Sequence, residues 1–287
     1  MQNLDETNIT AEVLERVAGA RDPRVREISE ALIRHLHEFV REIQPTQAEW
    51  EGAIAFLTET GQMSTGTRQE YILLSDALGV SRLVDAINNR LPEQATETTV
   101  LGPFFYADAP EFENGAEISG HLAGRPMYVG GRVLDTEGQP IARACVDVWH
   151  SDEAGFYDLQ KLDQGNGLAG RGRFTTDADG AFRLWTVRPS AYPIPSDGPV
   201  GKMLAAQGRH SYRPEHVHFM VRAEGYVKLV THIFAEGDAY LSSDAVFGVK
   251  PSLIQVFVEE EGGTSPDGRT MAGRWFRLER DLVLART

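Results

Sequence analysis

The sequence predicts an α+β protein: a helical N-terminal region, then a β region built as an antiparallel sandwich or barrel. Apolar residues recur every three or four positions before Pro92 and every second position after it. The later part is also punctuated by turn pairs at Glu137-Gly138, Asp179-Gly180, Glu224-Gly225 and Asp267-Gly268, which bound many short strands. The change falls in a Pro/Gly-rich crossing between residues 92 and 125. We set the division at 105, with a helical region 1–105 and a β region 106–287.

A short helix is expected around Ala11 to Ala18. From Asp22 to Gln44, Val25, Ile28, Leu32, Leu36, Phe39 and Ile43 lie on one helical face. Asp22 suits its N-cap and Pro23 its first turn. A third helix starts at Thr46, with Glu49 completing a capping box, and is expected to close at Gly61. A fourth runs from about Thr67 to Leu78 and stops at Gly79; Ser81 then caps a piece from Arg82 to Arg90. Strands are expected at Met127–Leu134, Ala142–Trp149, Arg173–Thr176, Ala181–Val187, His216–Val221, Lys228–Ile233, Leu253–Val258 and Arg274–Leu278. Thr176 to Gly180 reads as the turn of a hairpin between Phe174 and Phe182.

The net charge of −14 excludes a nucleic-acid binder, because no basic patch offsets phosphate repulsion. Cys145 is the single cysteine, so neither an internal disulfide nor a thiolate cluster is available, and it reads as a small buried residue. The N-terminus lacks the basic start and apolar run of a signal peptide. No stretch approaches the ~20 apolar residues of a membrane span. A cytoplasmic enzyme, not a membrane protein, is the expectation.

His216-Val217-His218 is the sharpest local signal. On a strand these two imidazoles face one side and can meet at one metal ion. Packed core histidines are the competing reading. His35 and His37 share the spacing but sit on a helix, where they diverge and read as solvated surface. Tyr157 and Tyr192 both follow predicted strand ends, where loops build sites. A phenol, with its ordinary pKa of ~10, ligates only a strongly acidic ion such as iron(III). Tyr71, Tyr106, Tyr128, Tyr226 and Tyr240 read as packed aromatics, and Tyr212 stays open as a rival ligand.

At these residues the chain resembles the intradiol ring-cleavage dioxygenases. The matching runs are Asp147-Val148-Trp149-His150 with Gly155-Phe156-Tyr157, Arg188-Pro189-Ser190-Ala191-Tyr192, and Gly208 through Arg213 to His216-Val217-His218-Phe219. The resemblance implies a β-sandwich holding one iron(III) per chain through Tyr157, Tyr192, His216 and His218. It implies that Tyr192 leaves the metal when substrate binds and takes one of its protons. Arg213 would stabilise negative charge on the substrate. The helical region would make a homodimer, with room for a bound phospholipid at its interface.

Within the family the chain looks like the subgroup that cleaves hydroxyquinol (benzene-1,2,4-triol) with O₂ to 3-hydroxy-cis,cis-muconate/maleylacetate. The supporting runs are Tyr71 to Val80, Val100-Leu101-Gly102-Pro103-Phe104, and Tyr192 to Val200. By resemblance, Leu73, Asp76, Val100, Leu101, Gly102, Pro103, Phe104, Ile194, Pro195 and Val246 form the substrate pocket. Asp76 would accept a hydrogen bond from the third hydroxyl, which catechol lacks. His232 stands where many catechol-cleaving relatives have glutamine and is read as a pocket or outer residue, not a ligand. The alternatives are a catechol or chlorocatechol 1,2-dioxygenase, a metal-free β-sandwich binding protein, and a zinc hydrolase.

Overall fold

The computed structural model describes residues 3–66, 68–162, 165 and 167–287. The chain forms two compact units, Met1–Thr58 and Glu59–Thr287.

The first unit holds α1 (Ile9–Val17), α2 (Pro23–Ile43) and the start of α3 (Gln47–Met63). Asp22 caps α2 through the amides of Arg24 and Val25, at 2.8 and 3.3 Å. Thr46 and Glu49 make the expected reciprocal box, with the Thr46 amide donating to Glu49 Oε2 at 2.7 Å. Gly61 does not close α3, which runs on to Met63. His37 is not solvated surface: its Nδ1 hydrogen-bonds Thr10 Oγ1 at 2.9 Å, joining α2 to α1. The apolar row Val25, Ile28, Leu32, Leu36, Phe39 and Ile43 is exposed in the single chain.

The second unit holds the end of α3, then α4 (Glu70–Ala77) and α5 (Val80–Asn88). The expected start of α4 at Thr67 lies outside the described residues. Ser81 does not cap α5; its hydroxyl pairs with Ser75 at 2.8 Å. The strands follow: β1 (Pro126–Asp135), β2 (Cys145–Trp149), β3 (Arg171–Thr175), β4 (Ala181–Val187) and β5 (Tyr192–Pro193). A helix that the periodicity does not announce, α6 (Pro199–Ala206), precedes β6 (Tyr212–Arg213), β7 (His216–Arg222) and β8 (Leu229–Ala235). The chain ends in β9 (Ile254–Gln255), β10 (Val258–Glu261), β11 (Arg274–Glu279) and β12 (Leu282–Leu284). No described helix is long and apolar enough to cross a membrane.

One five-stranded sheet runs β10-β11-β1-β12 with β4 also paired to β1; the other runs β3-β2-β7-β8-β9. Most pairs are antiparallel, but β1 runs parallel to β11 and β12, and β8 to β9. These parallel pairs join distant segments, so no turn signal marks them. The Thr176–Gly180 turn forms, with Asp177 Oδ1 accepting from the amides of Asp179 and Ala181 at 3.0 and 2.9 Å. Its flanking strands nevertheless join different sheets, so the expected hairpin is a crossing between them. Both sheets feed one core, including Met127, Val129, Leu184 and Phe276 from the first and Val146, Phe174, Val217 and Phe219 from the second. Each such side chain contributes about 1.5–3 kcal/mol on leaving water.

Candidate metal centre and adjoining pocket

The alternation of β7 builds the centre. Val217, Phe219 and Val221 enter the shared core, so His216 and His218 face the other side of the sheet. In β8, Ile233 is a core residue, and His232 stands directly opposite His218. On the other flank, β2 sets Trp149 opposite His218, and the two rings stack at 4.6 Å and 14°.

Two phenols complete this face. Tyr157 leaves the loop after β2, where Asp152 Oδ1 accepts from the amides of Ala154 and Phe156 at 3.0 and 2.8 Å. Gly155 in that loop has φ +83°, and a Cβ there would come within 2.7 Å of Tyr192 Cβ. Only glycine permits this turn and this approach. Tyr192 pairs with Arg213 across β5 and β6, which sets the guanidinium beside its phenol.

The donor atoms converge. His218 Nε2 lies 2.9 Å from Tyr157 Oη and 3.1 Å from His216 Nε2, and Tyr157 Oη lies 3.4 Å from His216 Nε2. The Tyr157 and Tyr192 rings meet edge-on at 5.2 Å. All four side chains are buried. The His216 Nδ1–H donates to the Pro214 carbonyl at 2.6 Å, leaving the Nε2 lone pair turned into the cluster. Burial holds both imidazoles neutral, well below the usual histidine range. Burial raises Tyr157 well above the ordinary phenol value, and neighbouring Tyr192 adds to it. Burial also raises Tyr192, against the pull of Arg213. Such phenols give up their protons only to a strong cation, so the donor set fits iron(III).

His216, His218 and His232 also lie close enough to be weighed as a three-imidazole site. Arg213 Nη2 donates to His232 Nδ1 at 3.4 Å, and Thr99 Oγ1 lies 2.9 Å from the same atom. Both contacts fall on Nδ1, and the buried Nε2 has no hydrogen-bond partner. Tyr157 Oη, by comparison, lies within 3.4 Å of the Nε2 atoms of both His216 and His218. Tyr212 lies outside the cluster, half-exposed and stacked on Tyr240 at 4.6 Å.

The sequence matches the family described as "Dioxygenase" over residues 100–279 and the one described as "Catechol dioxygenase N terminus" over residues 22–96. The chain belongs to the intradiol ring-cleavage dioxygenases. This dioxygenase is 50% identical to a hydroxyquinol 1,2-dioxygenase of Rhodococcus opacus, over 98% of this chain and 94% of the relative. It is 36% identical to a catechol 1,2-dioxygenase of Candida albicans, over 92% and 87% of the two chains. The crystal structure of a hydroxyquinol 1,2-dioxygenase from Pseudomonas putida DLL-E4 superposes with a TM-score of 0.88 at 44% identity, covering 98% of this chain and 99% of that one.

Beside the centre of the dioxygenase opens a pocket of about 700 Å³. Leu73, Pro103, Phe104, Ile194 and Pro195 line it. Phe104 joins pocket to centre, since its ring stacks on Tyr157 at 4.3 Å. Gly102 lies against His218, where an added Cβ would sit 3.4 Å from Cε1. Leu101 is exposed and Val100 buried, and neither lines this pocket. Asp76 and Val246 are buried near the Arg213 side instead, Val246 through its amide on Asp244. Phe156, Leu159 and Gln160 also line the pocket, and sequence reasoning missed them. Their place just around Tyr157 is the signal that would have found them.

Asp76 Oδ1 is buried without a hydrogen-bond partner. Burial pushes this carboxyl up to about 6, against a Ser81 hydrogen bond and the Arg213 charge. The folded state therefore holds this proton where the unfolded chain has lost it. Stability should fall as pH rises from about 4 to about 6 and then level off, by roughly 2–3 kcal/mol. Asp76→Asn should remove that slope, which melting curves across the pH range would read. An unchanged slope would show that another group carries it.

Proposed function

We propose that this chain cleaves hydroxyquinol with O₂ between its two adjacent hydroxylated carbons, giving 3-hydroxy-cis,cis-muconate/maleylacetate. The supporting observation is the meeting of Tyr157, His216 and His218 donor atoms within 3.4 Å, with Tyr192 beside them, in a buried site against an apolar pocket. Tyr157, Tyr192, His216 and His218 would hold the iron. When bound, iron(III) would acidify the phenols and chelate the diol oxygens. Tyr192 Oη would accept a proton from the incoming diol. Arg213 Nη1, 3.5 Å from Tyr192 Oη, would stabilise the negative charge left on the ring oxygens. Phe104, Leu73, Ile194 and Pro195 would clamp the ring and exclude water.

The unpartnered Asp76 oxygen supports the triol over catechol. A buried acceptor gains a partner from the third hydroxyl and stays unpaired with catechol, a difference of about 1–3 kcal/mol. The higher identity to the hydroxyquinol enzyme than to the catechol enzyme points the same way. Gly102, against His218, would adjoin the bound ring. Turnover of hydroxyquinol and of catechol, followed by product spectra on iron-loaded protein, tests the reading. Equal or better catechol cleavage would assign the chain to the catechol or chlorocatechol enzymes. A colourless protein with no ring cleavage would leave only a binding role.

We further propose that the two sheets act as a sandwich scaffold, spanning residues 106–287, and that residues 1–105 pair a cytoplasmic homodimer. The exposed apolar row of α2 supports this, because a stripe of that kind is costly in water. Leu36→Asp should convert the dimer to monomer in sedimentation or light scattering. A phospholipid on the same row would be displaced by that change, and lipid extraction would detect it. An unaltered dimer would put the interface elsewhere.

A further inference from the structure

We propose that Asp244 is the positioning residue of this site, holding Arg213 so that a single nitrogen of its guanidinium points at the reacting diol. The inference rests on the function proposed above for Arg213. Asp244 receives Arg213 Nε on Oδ1 at 3.1 Å and Nη2 on Oδ2 at 3.3 Å, a two-pronged contact between side chains each 2% exposed. The carboxylate is itself fixed from behind. The Val246 amide donates to Oδ1 at 3.3 Å and the Gly248 amide to Oδ2 at 2.9 Å. Phe247 between them takes φ +58°, an uncommon value for a side chain of its size, and closes the loop around the acid.

With Nε and Nη2 held by Asp244, Nη1 is the nitrogen left for chemistry. It lies 3.5 Å from Tyr192 Oη and 3.3 Å from His216 Nε2, on the side where both phenols stand. Burial alone would weaken the Arg213 charge, and Asp244 together with the Tyr192 and Tyr157 oxygens offsets it, so the guanidinium stays cationic. Displacement of a reacting group by about 1 Å costs on the order of a hundredfold in rate, so a rigid mount is worth building.

A counter-ion role and a positioning role separate experimentally at Gly248. A Cβ there would lie 2.9 Å from Arg213 Nη2 and 3.0 Å from Asp244 Oδ2. Gly248→Ala therefore keeps both charges but moves the fork. Asp244→Asn keeps the shape but weakens it. We expect Asp244→Asn to lower kcat for hydroxyquinol by at least ~10-fold and Gly248→Ala by at least ~3-fold. In an Arg213→Met background, each should cost less than ~2-fold, because the residue they act through is gone. The visible tyrosinate absorption of the iron-loaded protein supplies a second reading. It should shift in both single variants and stay put in the Arg213→Met background. Equal losses in both backgrounds would overturn the proposal in favour of a general structural role. A silent Gly248→Ala would reduce Asp244 to a counter-ion. Should Asp244→Asn fail to fold, Gly248→Ala decides alone. A wild-type protein that leaves hydroxyquinol intact would overturn the substrate reading, and the absorption comparison would still judge Asp244.

Discussion

Tyr157→Phe is expected to abolish both the iron-dependent colour and ring cleavage. Tyr157 Oη is the oxygen nearest His218 Nε2, at 2.9 Å, and also lies 3.4 Å from His216 Nε2. Removing it leaves two neutral imidazoles 3.1 Å apart and one phenol, Tyr192. That set lacks the negative charge that selects a trivalent ion. Loss of an outer partner of a metal ligand costs about 10–100-fold in affinity, so loss of the ligand itself should cost at least ~100-fold. The Phe ring keeps the stack on Phe104, so the fold should survive. His216→Ala should behave in the same way but also release the Pro214 carbonyl. Iron content, visible absorption and turnover of the purified variants measure this. Retained colour and activity in Tyr157→Phe would remove this tyrosine from the proposed ligand set.

The legible parts of this centre were those set by local geometry. Alternation along β7 alone puts His216 and His218 on one face. The same rule places Val217 and Phe219 in the core. The helix starts at Asp22 and Thr46 were equally readable, because caps are made within a few residues. Asp244 was not readable: an acid after Ser242 and Ser243 looks like any turn residue, and its meaning lies in a contact 31 positions away. The interface of β1 with β11 and β12 was hidden for the same reason. The Thr176–Gly180 turn shows the limit from the other side. Its local chemistry formed as expected, while the sheets on which its two strands landed were decided by distant pairing. Tyr157 and Tyr192 fall between these cases. Strand-end position made them candidates, and family resemblance separated them from Tyr212.

Arg171→Met should destabilise the fold by about 3–5 kcal/mol, because it strands a buried carboxylate. Arg171 and Asp158 are 2% and 1% exposed and meet through both guanidinium prongs, Nε on Oδ2 at 2.6 Å and Nη2 on Oδ1. Asp158 also accepts from the amides of Leu159 and Ala169 at 2.8 and 3.2 Å, so it is locked in place and cannot swing out to water. Lysine would not substitute, since one ammonium cannot span both oxygens while Arg171 Nη1 also donates to the Phe104 carbonyl at 3.0 Å. That last bond carries the effect into function. Phe104 is both a wall of the pocket and the stacking partner of Tyr157, and Asp158 directly follows Tyr157 in the chain. Chemical denaturation should give the stability loss, and the Michaelis constant for hydroxyquinol should rise with it. Adding Asp158→Asn to Arg171→Met should recover part of the stability, because the stranded charge is gone. It should not recover the Michaelis constant, because the Phe104 carbonyl remains unheld. A double variant that restores both would mean the pair stabilises the fold without shaping the pocket.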